Sequence, residues 1–429
     1  MNPKQSGRRR FLKDGPVLAG LAMVGIRSAS GQTSRAATPE RRPDDLLAYG
    51  ERSHFENYSV RVIRTPKDYG PRTPLQDQLG IITPASVHFI LSHQRDLKGF
   101  PYVPPDLDPR QHRLLIHGMV DRPLIFTLDE LKRLPSVSRF HFVECNANSN
   151  PTGYFGAHRR APTATVQDTH GLTGCSLWTG VPLSLLLEQA GVQKSAAWMY
   201  AEGAETARHS KSIPIGKGMD DCIVAYGQNG EAVRPEQGYP LRLITPGYEG
   251  INSVKWLRRI KLVDEPYMAY SESVNYPSLR PDGKARWFQF EMGPKSVITR
   301  PSGGQQLSGP GFYEISGLAW SGGGVVRRVE VSTDGGRTWK DAQLQDPIAR
   351  KAHSRFVFPW EWNGEEATIQ SRCTDERNEV QPTGEEIANM NYHAHLDYFK
   401  TASVNTNHFN AIQPWKISRE GSVINALFL

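Results

Sequence analysis

The last third of the chain reads as a series of short strands. Val329 and Val331 alternate with polar neighbours, which places the apolar side chains on one face of a strand. An Asp-Gly-Gly turn signal follows at 334–336. The strand-like runs lie at 313–318, 325–332, 356–358 and 368–370. Because this spacing is typical of two packed antiparallel sheets, we predict an immunoglobulin-like β-sandwich over 290–400 and a closing tail over 401–429.

The part from 80 to 289 mixes short strand-like runs with short helices. Thr127 and Glu130 have the spacing of a capping box, in which each side chain satisfies a backbone N–H at a helix start. Pro182 and Gly191 bracket a second helix, because proline suits a helix start and glycine the position after its end. The strand-like runs lie at 114–118, 140–145 and 241–244. A mixed α/β domain followed by an all-strand domain indicates the α+β class.

The first thirty residues are typical of a cleavable export signal. The motif R-R-R-F-L-K at 8–13 precedes an apolar run at 17–26, and small residues follow at 28–30. The apolar run is about half of the ~20 residues that a membrane span needs. The order R-R-x-F-L-K matches a twin-arginine signal, so we expect export of the folded protein to the periplasm. The polar, proline-punctuated residues 31–79 are expected to form an irregular arm.

Positive charge is concentrated in this leader. The net charge is +7 over 429 residues, and six Lys and Arg against one Asp give the first thirty residues +5 of it. The remainder is nearly balanced, and its Lys and Arg are scattered without interleaved aromatics, which argues against a nucleic-acid partner. No later apolar run has the length of a membrane span, so we expect none in the mature protein.

The four cysteines are isolated from one another in the sequence. None lies in a C-x-x-C spacing, which excludes a zinc ribbon, a thioredoxin-like motif and a C-x-x-C-H haem attachment site. A disulfide between Cys175 and Cys222 is conceivable in an oxidising compartment, but the sequence assigns no pairing.

Cys145 stands at the end of a strand-like run, before small and amide residues. A thiolate presented there is a soft ligand suited to a transition metal. One alternative is a buried structural thiol, the commoner case for an isolated cysteine. Another is a nucleophile, which would need His141 or His170 as its base.

A glycine-rich, basic segment at 239–259 is the second candidate site. Its P-G-Y-E-G motif offers backbone N–H groups, and Arg242 and Lys255 on either side suit an anionic, phosphate-bearing ligand. The alternative is a solvated basic strand end. His88 and His93 are candidate ligands as well, although a lone histidine is more often structural.

The chain resembles the sulfite oxidase family of molybdopterin enzymes in the motifs F-V-E-C-N-A-N, W-T-G-V-P-L, G-Y-P-L-R-L-I-T-P-G-Y-E-G, S-V-K-W-L-R-R-I and V-E-V-S-T-D-G-G-R-T-W. Within the family it is most similar to the sulfane dehydrogenase molybdoprotein subunits of Sox sulfur-oxidising systems, through H-R-L-L-I-H-G-M-V-D-R-P-L-I-F-T-L-D-E-L and S-I-P-I-G-K-G-M-D-D-C. These motifs occur in the family's order from about residue 80 to about residue 425.

The resemblance implies a molybdenum held by one pterin dithiolene and one protein thiolate. Cys145 matches that thiolate, and Tyr276 matches an active-site tyrosine beside the metal. The positions that match residues around the pterin and its phosphate are His93, Arg242, Ser253, Val254 and Lys255. Gln237 stands where many sulfite oxidases have histidine. The β-sandwich is implied to serve homodimerisation.

The implied activity is oxidation of a sulfur substrate by oxygen-atom transfer, with electrons passed to a c-type cytochrome because the chain has no haem motif of its own. Animal sulfite oxidases bind sulfite with arginines at positions that correspond here to Leu91 and Asn150. Their replacement favours sulfane sulfur on a carrier protein as the substrate. The alternatives are a sulfite dehydrogenase acting on free sulfite and a non-catalytic binding protein with a decayed cofactor site.

Overall fold

The fold is described by a computed structural model over residues 71–91, 104–152, 156–280, 282–401 and 408–429. The expected export signal, most of the expected N-terminal arm and His93 lie outside these ranges. None of the helices within them is long and apolar enough to cross a membrane.

The first part of the fold alternates strands with short helices. Its strands are β1 (Leu114–Gly118), β2 (Leu124–Phe126), β3 (Val137–Glu144), β4 (Thr173–Pro182), β5 (Trp198–Gly203), β6 (Ser210–Pro214), β7 (Ile223–Gln228), β8 (Glu231–Ala232), β9 (Arg242–Ile244) and β10 (Leu257–Val263). Its α-helices are α1 (Leu128–Arg133), α2 (Gly156–Arg160), α3 (Val166–His170), α4 (Leu183–Ala190) and α5 (Ile215–Asp220).

These strands form two sheets. The first has the order β2-β1-β10-β5-β6, and β1 and β10 are its parallel pair. The second has the order β3-β4-β7-β8, with β9 paired to β7. Buried leucines of α4 and apolar residues of the first sheet share one core. The second sheet positions the candidate site, because β3 ends immediately before Cys145 and β9 begins at Arg242.

The two helices predicted from local sequence are confirmed. Thr127 Oγ1 accepts from the Glu130 N–H at 3.2 Å, and the Glu130 carboxylate accepts from the Thr127 N–H at 2.7 Å. Such a cap typically contributes about 1 kcal/mol. Helix α4 follows Pro182 and ends before Gly191, whose φ of 69° is the left-handed conformation that glycine adopts without steric cost.

The second part of the fold is dominated by strands. They are β11 (Ser278–Leu279), β12 (Ala285–Arg286), β13 (Lys295–Arg300), β14 (Gly311–Trp320), β15 (Val326–Ser332), β16 (Lys340–Asp341), β17 (Gln343–Gln345), β18 (Ser354–Trp362), β19 (Ala367–Asp375), β20 (Trp415–Ile417) and β21 (Val423–Asn425). Two α-helices accompany them, α6 (Gly384–Tyr392) and α7 (Tyr398–Thr401).

Strands β13 to β21 build the predicted sandwich. One sheet has the order β13-β14-β18-β17 and the other β16-β15-β19-β20-β21, while β11 and β12 form a separate ribbon. Large apolar side chains such as Trp320, Phe356 and Trp415 are fully buried in the shared core. The predicted α+β class is therefore confirmed, with a mixed domain followed by a β-sandwich.

The last part of the chain differs from expectation. Residues 401–429, expected as a closing tail, contribute β20 and β21 to the second sandwich sheet, with Trp415 opposite Ile369 of β19. Strands of three residues have too few alternating positions to be recognised from sequence. Helix α6, which begins at a capping box formed by Thr383 and Glu386, interrupts the all-strand prediction for 290–400.

Two further details also depart from expectation. Cys175 and Cys222 are buried free thiols in different core clusters, so the conceivable disulfide between them is not formed. The described end of the expected arm, from residue 71, is packed against the fold, since Leu75 is fully buried and the Thr73 N–H donates to the Gly171 carbonyl at 2.8 Å.

Candidate active site

One pocket collects side chains that lie far apart in the sequence. It encloses about 610 Å³ of atom-free space, counted with its open mouth. Its polar lining consists of Cys145, Glu205, His209, Gln237, Arg242, Ser253, Lys255 and Tyr276. Its apolar wall consists of Phe89, Leu91, Val143, Ile251 and Trp256. A thiol, cations and a phenol thus face one partly enclosed space.

Cys145 is placed by the end of β3, and its backbone N–H donates to the Leu172 carbonyl at 2.9 Å. The residue is 7% exposed, and its thiol donates to Asn146 Oδ1 at 3.5 Å. Burial raises the pKa of Cys145 to about 12, because a thiolate inside the protein loses its hydration. A bound metal cation removes that penalty by neutralising the thiolate. These surroundings suit a metal ligand.

The cysteine loop, residues 145–150, is fixed by hydrogen bonds along its length. The Ser149 N–H donates to the Thr169 carbonyl at 2.9 Å. The buried guanidinium of Arg159 donates to the carbonyl oxygens of Ala147 and Asn150, the latter at 3.1 Å. Burial, followed by the charge of Arg72, lowers the pKa of Arg159 to about 9. The loop is therefore held by donors from outside it.

Arg242 and Lys255 bring two cationic side chains to the pocket, of which Arg242 is buried and Lys255 is partly exposed. Arg242 donates to the side-chain oxygen of Gln237 at 3.0 Å, and its guanidinium lies 5.2 Å from the centre of the Trp178 ring. Lys255 Nζ donates to the carbonyl oxygens of Leu91 at 2.9 Å and Glu236 at 3.0 Å. Burial, followed by the charge of Arg242, lowers the pKa of Lys255 to about 7. An anion in the pocket would favour the charged form of this lysine.

The P-G-Y-E-G segment packs directly against the end of β3, just before the cysteine loop. A Cβ at Gly250 would lie 2.7 Å from the Glu144 carbonyl oxygen, so only glycine permits this approach. Ser253 Oγ accepts from the Thr245 N–H at 3.1 Å. Val254 is 1% exposed and packs in the core of the first sheet, behind the pocket lining.

Tyr276 follows a π-helical turn that is tied to the first sheet. The carboxylate of Glu272, within that turn, accepts from the Ser212 N–H at 2.5 Å and from the Ala269 N–H at 2.9 Å. Tyr276 is 6% exposed, and burial raises its pKa well above the ordinary value of a phenol. Its hydroxyl therefore remains protonated and can donate at neutral pH.

Lys211 and Glu249 add a basic and an acidic side chain beside Tyr276. Lys211 Nζ lies 5.2 Å from the centre of the Tyr276 ring and 3.8 Å from Glu272 Oε1. Glu249 is 2% exposed, and burial raises its pKa to about 8 despite the charge of Lys211. This carboxyl therefore holds a proton at neutral pH.

The structure brings most of the predicted site residues together. Cys145, Arg242, Ser253, Lys255 and Tyr276 all line the pocket, whereas Val254 lies behind it. Leu91 also lines the pocket, but the Asn150 side chain accepts from the Thr152 N–H and hydroxyl, at 2.9 and 2.8 Å, within its own turn.

The histidines considered above have other surroundings. His88 is buried between Phe89 and Trp178, and burial lowers its pKa to about 3. Burial also lowers the pKa of His141 to about 4, and His170 Nδ1 lies 2.9 Å from Thr169 Oγ1. None of the three lines the pocket.

Two polar lining residues were not predicted. Glu205 and His209 lie in the loop between β5 and β6, where Glu205 Oε1 accepts from the His209 N–H at 2.7 Å. His209 Nε2 lies 3.1 Å from the Ile251 carbonyl oxygen, and burial lowers the pKa of this histidine to about 4. The only sequence signal for these two residues was the motif E-T-A-R-H at 205–209. This motif shows neither the periodicity of a helix or strand nor a spacing typical of metal ligands.

The donor set fits a molybdopterin cofactor. Among the described residues, no group of three or more His, Cys, Asp or Glu side chains converges as a metal site. A metal bound by Cys145 would therefore need further ligands from its cofactor, as a pterin dithiolene provides. Glu205 Oε2 is buried without a hydrogen-bond partner in the described structure, and pterin N–H groups would satisfy such an acceptor. Arg242 and Lys255 suit its phosphate.

Comparison with protein families supports this fit. Residues 101–271 match the oxidoreductase molybdopterin binding domain, and residues 286–406 match the Mo-co oxidoreductase dimerisation domain. The chain therefore carries a molybdopterin-binding domain followed by a domain of the dimerisation type.

The chain is also similar to individual proteins. It is 30% identical to mitochondrial sulfite oxidase of Mus musculus over 71% of this chain and 58% of that protein. It is 31% identical to an NADH nitrate reductase of Brassica napus over 72% of this chain and 36% of that protein. It thus spans less than two thirds of either relative.

Among solved structures, the sulfane dehydrogenase SoxCD from Paracoccus pantotrophus superimposes with a TM-score of 0.80. The two chains are 37% identical, and the match covers 90% of this chain and 95% of that one. The pocket, the two domains and these similarities lead to one conclusion: the chain belongs to the sulfite oxidase family of molybdopterin oxidoreductases.

Proposed function

We propose that the chain is the molybdenum subunit of an oxidoreductase that oxidises sulfane sulfur bound to a carrier protein. The observation that carries the proposal is the convergence of Cys145, Arg242, Lys255 and Tyr276 on one pocket. The likeness to a sulfane dehydrogenase over 90% of the chain supports the choice of substrate class.

Each of these residues has a distinct part in the proposed chemistry. When bound, the cofactor supplies two-electron redox chemistry and oxygen-atom exchange with the substrate sulfur. Cys145 would ligate the metal, and Arg242 and Lys255 would hold the pterin phosphate. Tyr276, protonated at neutral pH, would donate a hydrogen bond from its hydroxyl to an oxygen of the oxidised sulfur group. Phe89, Val143 and Trp256 would give the pocket one apolar wall.

The pocket favours a carrier-bound substrate over free sulfite. Leu91 contributes an apolar side chain to the lining, and Asn150 is engaged in its own turn. A small dianion binds weakly where the positions that hold arginine in animal sulfite oxidases have no charge. A carrier protein would supply binding energy outside the pocket.

The proposed function also includes a cellular compartment, an electron acceptor and an oligomeric state. We place the enzyme in the periplasm after twin-arginine export, with a c-type cytochrome as electron acceptor. Homodimerisation through the β-sandwich is supported by the match of residues 286–406 to a dimerisation domain.

Oxidation of free sulfite is the second candidate function. It is favoured by the 30% identity to mitochondrial sulfite oxidase and by the two cations in the pocket. Purified enzyme loaded with molybdenum should be assayed with sulfite and with a protein cysteine persulfide, using cytochrome c as the acceptor. We expect faster turnover of the persulfide. Preference for sulfite would reverse the assignment, and a purified protein without molybdenum would indicate a non-catalytic binding protein.

Cys145→Ser tests the proposed metal ligand. We expect it to abolish molybdenum-dependent turnover, because a serine hydroxyl is a poor substitute for a soft thiolate. Cys175→Ser is the matched control, since Cys175 is also a buried free thiol but does not line the pocket. Metal content and steady-state turnover are measured for both variants. Full turnover in Cys145→Ser would contradict the proposal.

A further inference from the structure

Three donors converge on the residue that precedes Cys145. The carboxylate of Glu144 is fully buried, and its Oε1 accepts from Lys295 Nζ at 2.5 Å and from Asn148 Nδ2 at 2.9 Å. Its Oε2 accepts from Trp320 Nε1 at 2.7 Å. Both carboxylate oxygens are therefore held in fixed directions.

Two of these donors belong to the β-sandwich. Lys295 is the first residue of β13 and Trp320 is the last residue of β14, and they stand opposite each other in the ladder. Lys295 Nζ also lies 3.4 Å from Ser149 Oγ, at the far end of the cysteine loop. One edge of the sandwich thus contacts the residue before the loop and a residue near its end.

Stability alone does not account for this arrangement. Removing an ammonium and a carboxylate from water is costly, and apolar residues of similar volume often replace such pairs without loss. A buried ion pair with further directional hydrogen bonds does restrict the conformation of the groups that it joins. Because Glu144 and Cys145 are adjacent, a fixed Glu144 carboxylate restricts the backbone that carries the thiol.

We propose that Lys295 and Trp320 are positioning residues, through which the β-sandwich holds the cysteine loop so that Cys145 faces the pocket. The proposal rests on the metal-binding role of Cys145 proposed above, but it concerns loop geometry that exists without the metal. It gives the second domain a part in the active site besides any part in dimerisation.

The test measures opening of the loop in the full chain purified without molybdenum. Trp320→Phe removes one donor and leaves the charges unchanged. Lys295→Met alone would leave the Glu144 carboxylate buried without its counter-ion, and this variant can fail to fold for that reason alone. A double variant, Glu144→Gln with Lys295→Met, is therefore used, because it removes the ion pair and leaves no unpaired charge. Alkylation of each cysteine by iodoacetamide is followed by peptide mass spectrometry, and amide hydrogen exchange of residues 145–150 is measured alongside because it does not depend on the thiol pKa.

We expect both measurements to rise about tenfold in the cysteine loop of Trp320→Phe and more in the double variant, because opening no longer breaks those hydrogen bonds. Cys175, Cys222 and Cys373 are buried in the same chain and should keep their alkylation rates. An equal rise at all four cysteines would show general destabilisation and overturn the proposal, as would no rise at Cys145.

Lys351→Met is the matched control. Lys351, also in the second part of the chain, pairs with Asp221 at 2.6 Å, and neither residue lines the pocket. Its loss should leave the cysteine loop unchanged. In molybdenum-loaded protein, we expect Trp320→Phe to shift the absorption bands of the metal site and Lys351→Met to leave them in place. Unshifted bands in both would overturn the positioning role, whereas a failure of Cys145 to bind molybdenum would affect only the proposed function.

Discussion

Two lysines, Lys255 and Lys295, lie in different electrostatic surroundings, and Lys295 is fully buried whereas Lys255 is partly exposed. Lys255, in the pocket, donates to two neutral carbonyl oxygens, and the carboxylates of Glu205 and Glu236 only partly offset the fall of its pKa to about 7. Lys295, beneath the cysteine loop, contacts a carboxylate oxygen at 2.5 Å. Burial lowers the pKa of both lysines, but at Lys295 the protein supplies an opposing charge in direct contact.

This difference between the two lysines distinguishes a structural charge from a ligand-binding charge. A buried charge that is matched within the chain, as that of Lys295 is, fixes the positions of the groups that it joins, and the loss of one partner alone is costly. A charge that lines the pocket, as that of Lys255 does, can bind an anion from outside, and the phosphate of a pterin is such an anion. The next three predictions test this distinction, from the largest expected effect to the smallest.

Lys295→Met should lower the free energy of unfolding by about 3–5 kcal/mol, because it leaves the Glu144 carboxylate buried without its counter-ion. Urea denaturation of the cofactor-free protein measures this change. Lys351→Met should have a smaller effect, since Asp221 keeps the ammonium of Lys217 at 2.6 Å. A loss below about 1 kcal/mol for Lys295→Met is typical of an exposed ion pair. It would show that the Lys295–Glu144 pair does not hold the fold together at this point.

Lys255→Met should reduce the retained molybdenum cofactor about ten- to a hundredfold, because it removes a charge-assisted contact to the phosphate. The ratio of molybdenum to protein after dialysis measures the loss. The free energy of unfolding of the cofactor-free variant should change by only about 1 kcal/mol, since the loss of the hydrogen bonds is offset by removal of a partly buried charge. Unchanged cofactor content would mean that Lys255 does not hold the phosphate.

The affinity of the pocket for an anion should depend on pH, because Lys255 titrates near neutral pH. Below pH 7 Lys255 is charged in the cofactor-free protein, and above it the ammonium loses its proton. The dissociation constant of inorganic sulfate, whose charge is constant in this range, should therefore rise by up to about tenfold per pH unit above 7. Calorimetric titration measures it, and Lys255→Arg should have a shallower profile, because arginine keeps its charge and only groups such as Glu249 still titrate in this range. A flat profile in the unmodified protein would contradict the assigned pKa.

Regular periodicity made much of the fold predictable. Helix α4 and the strands around Val329 satisfy rules that act within about ten residues, so their sequences alone specify them. Strands β20 and β21 were missed because each has three residues, and their assignment depends on pairing with β19. The α+β class followed from the order of these elements.

The site was predictable only through resemblance. The residue pattern alone allowed three roles for Cys145, namely metal ligand, structural thiol and nucleophile. Only the family motifs connected Cys145 with Arg242, Lys255 and Tyr276. Glu205 and His209 lie in a loop without periodicity, so nothing local distinguished them. Glu144 and Lys295 are 151 positions apart, and their contact depends on how two domains pack.

The end of the described chain has a consequence for biosynthesis. Asn425 on β21 donates its side-chain amide to the carbonyl oxygens of Arg159 at 2.8 Å and Ala161 at 3.2 Å. Arg159 in turn binds the cysteine loop. The ribosome adds Asn425 to the chain long after Cys145 and Arg159, so this contact cannot form until all three residues have been translated. The Asn425 contact therefore cannot support Arg159, and through it the cysteine loop, before Asn425 has been translated, and we expect cofactor loading to follow that point.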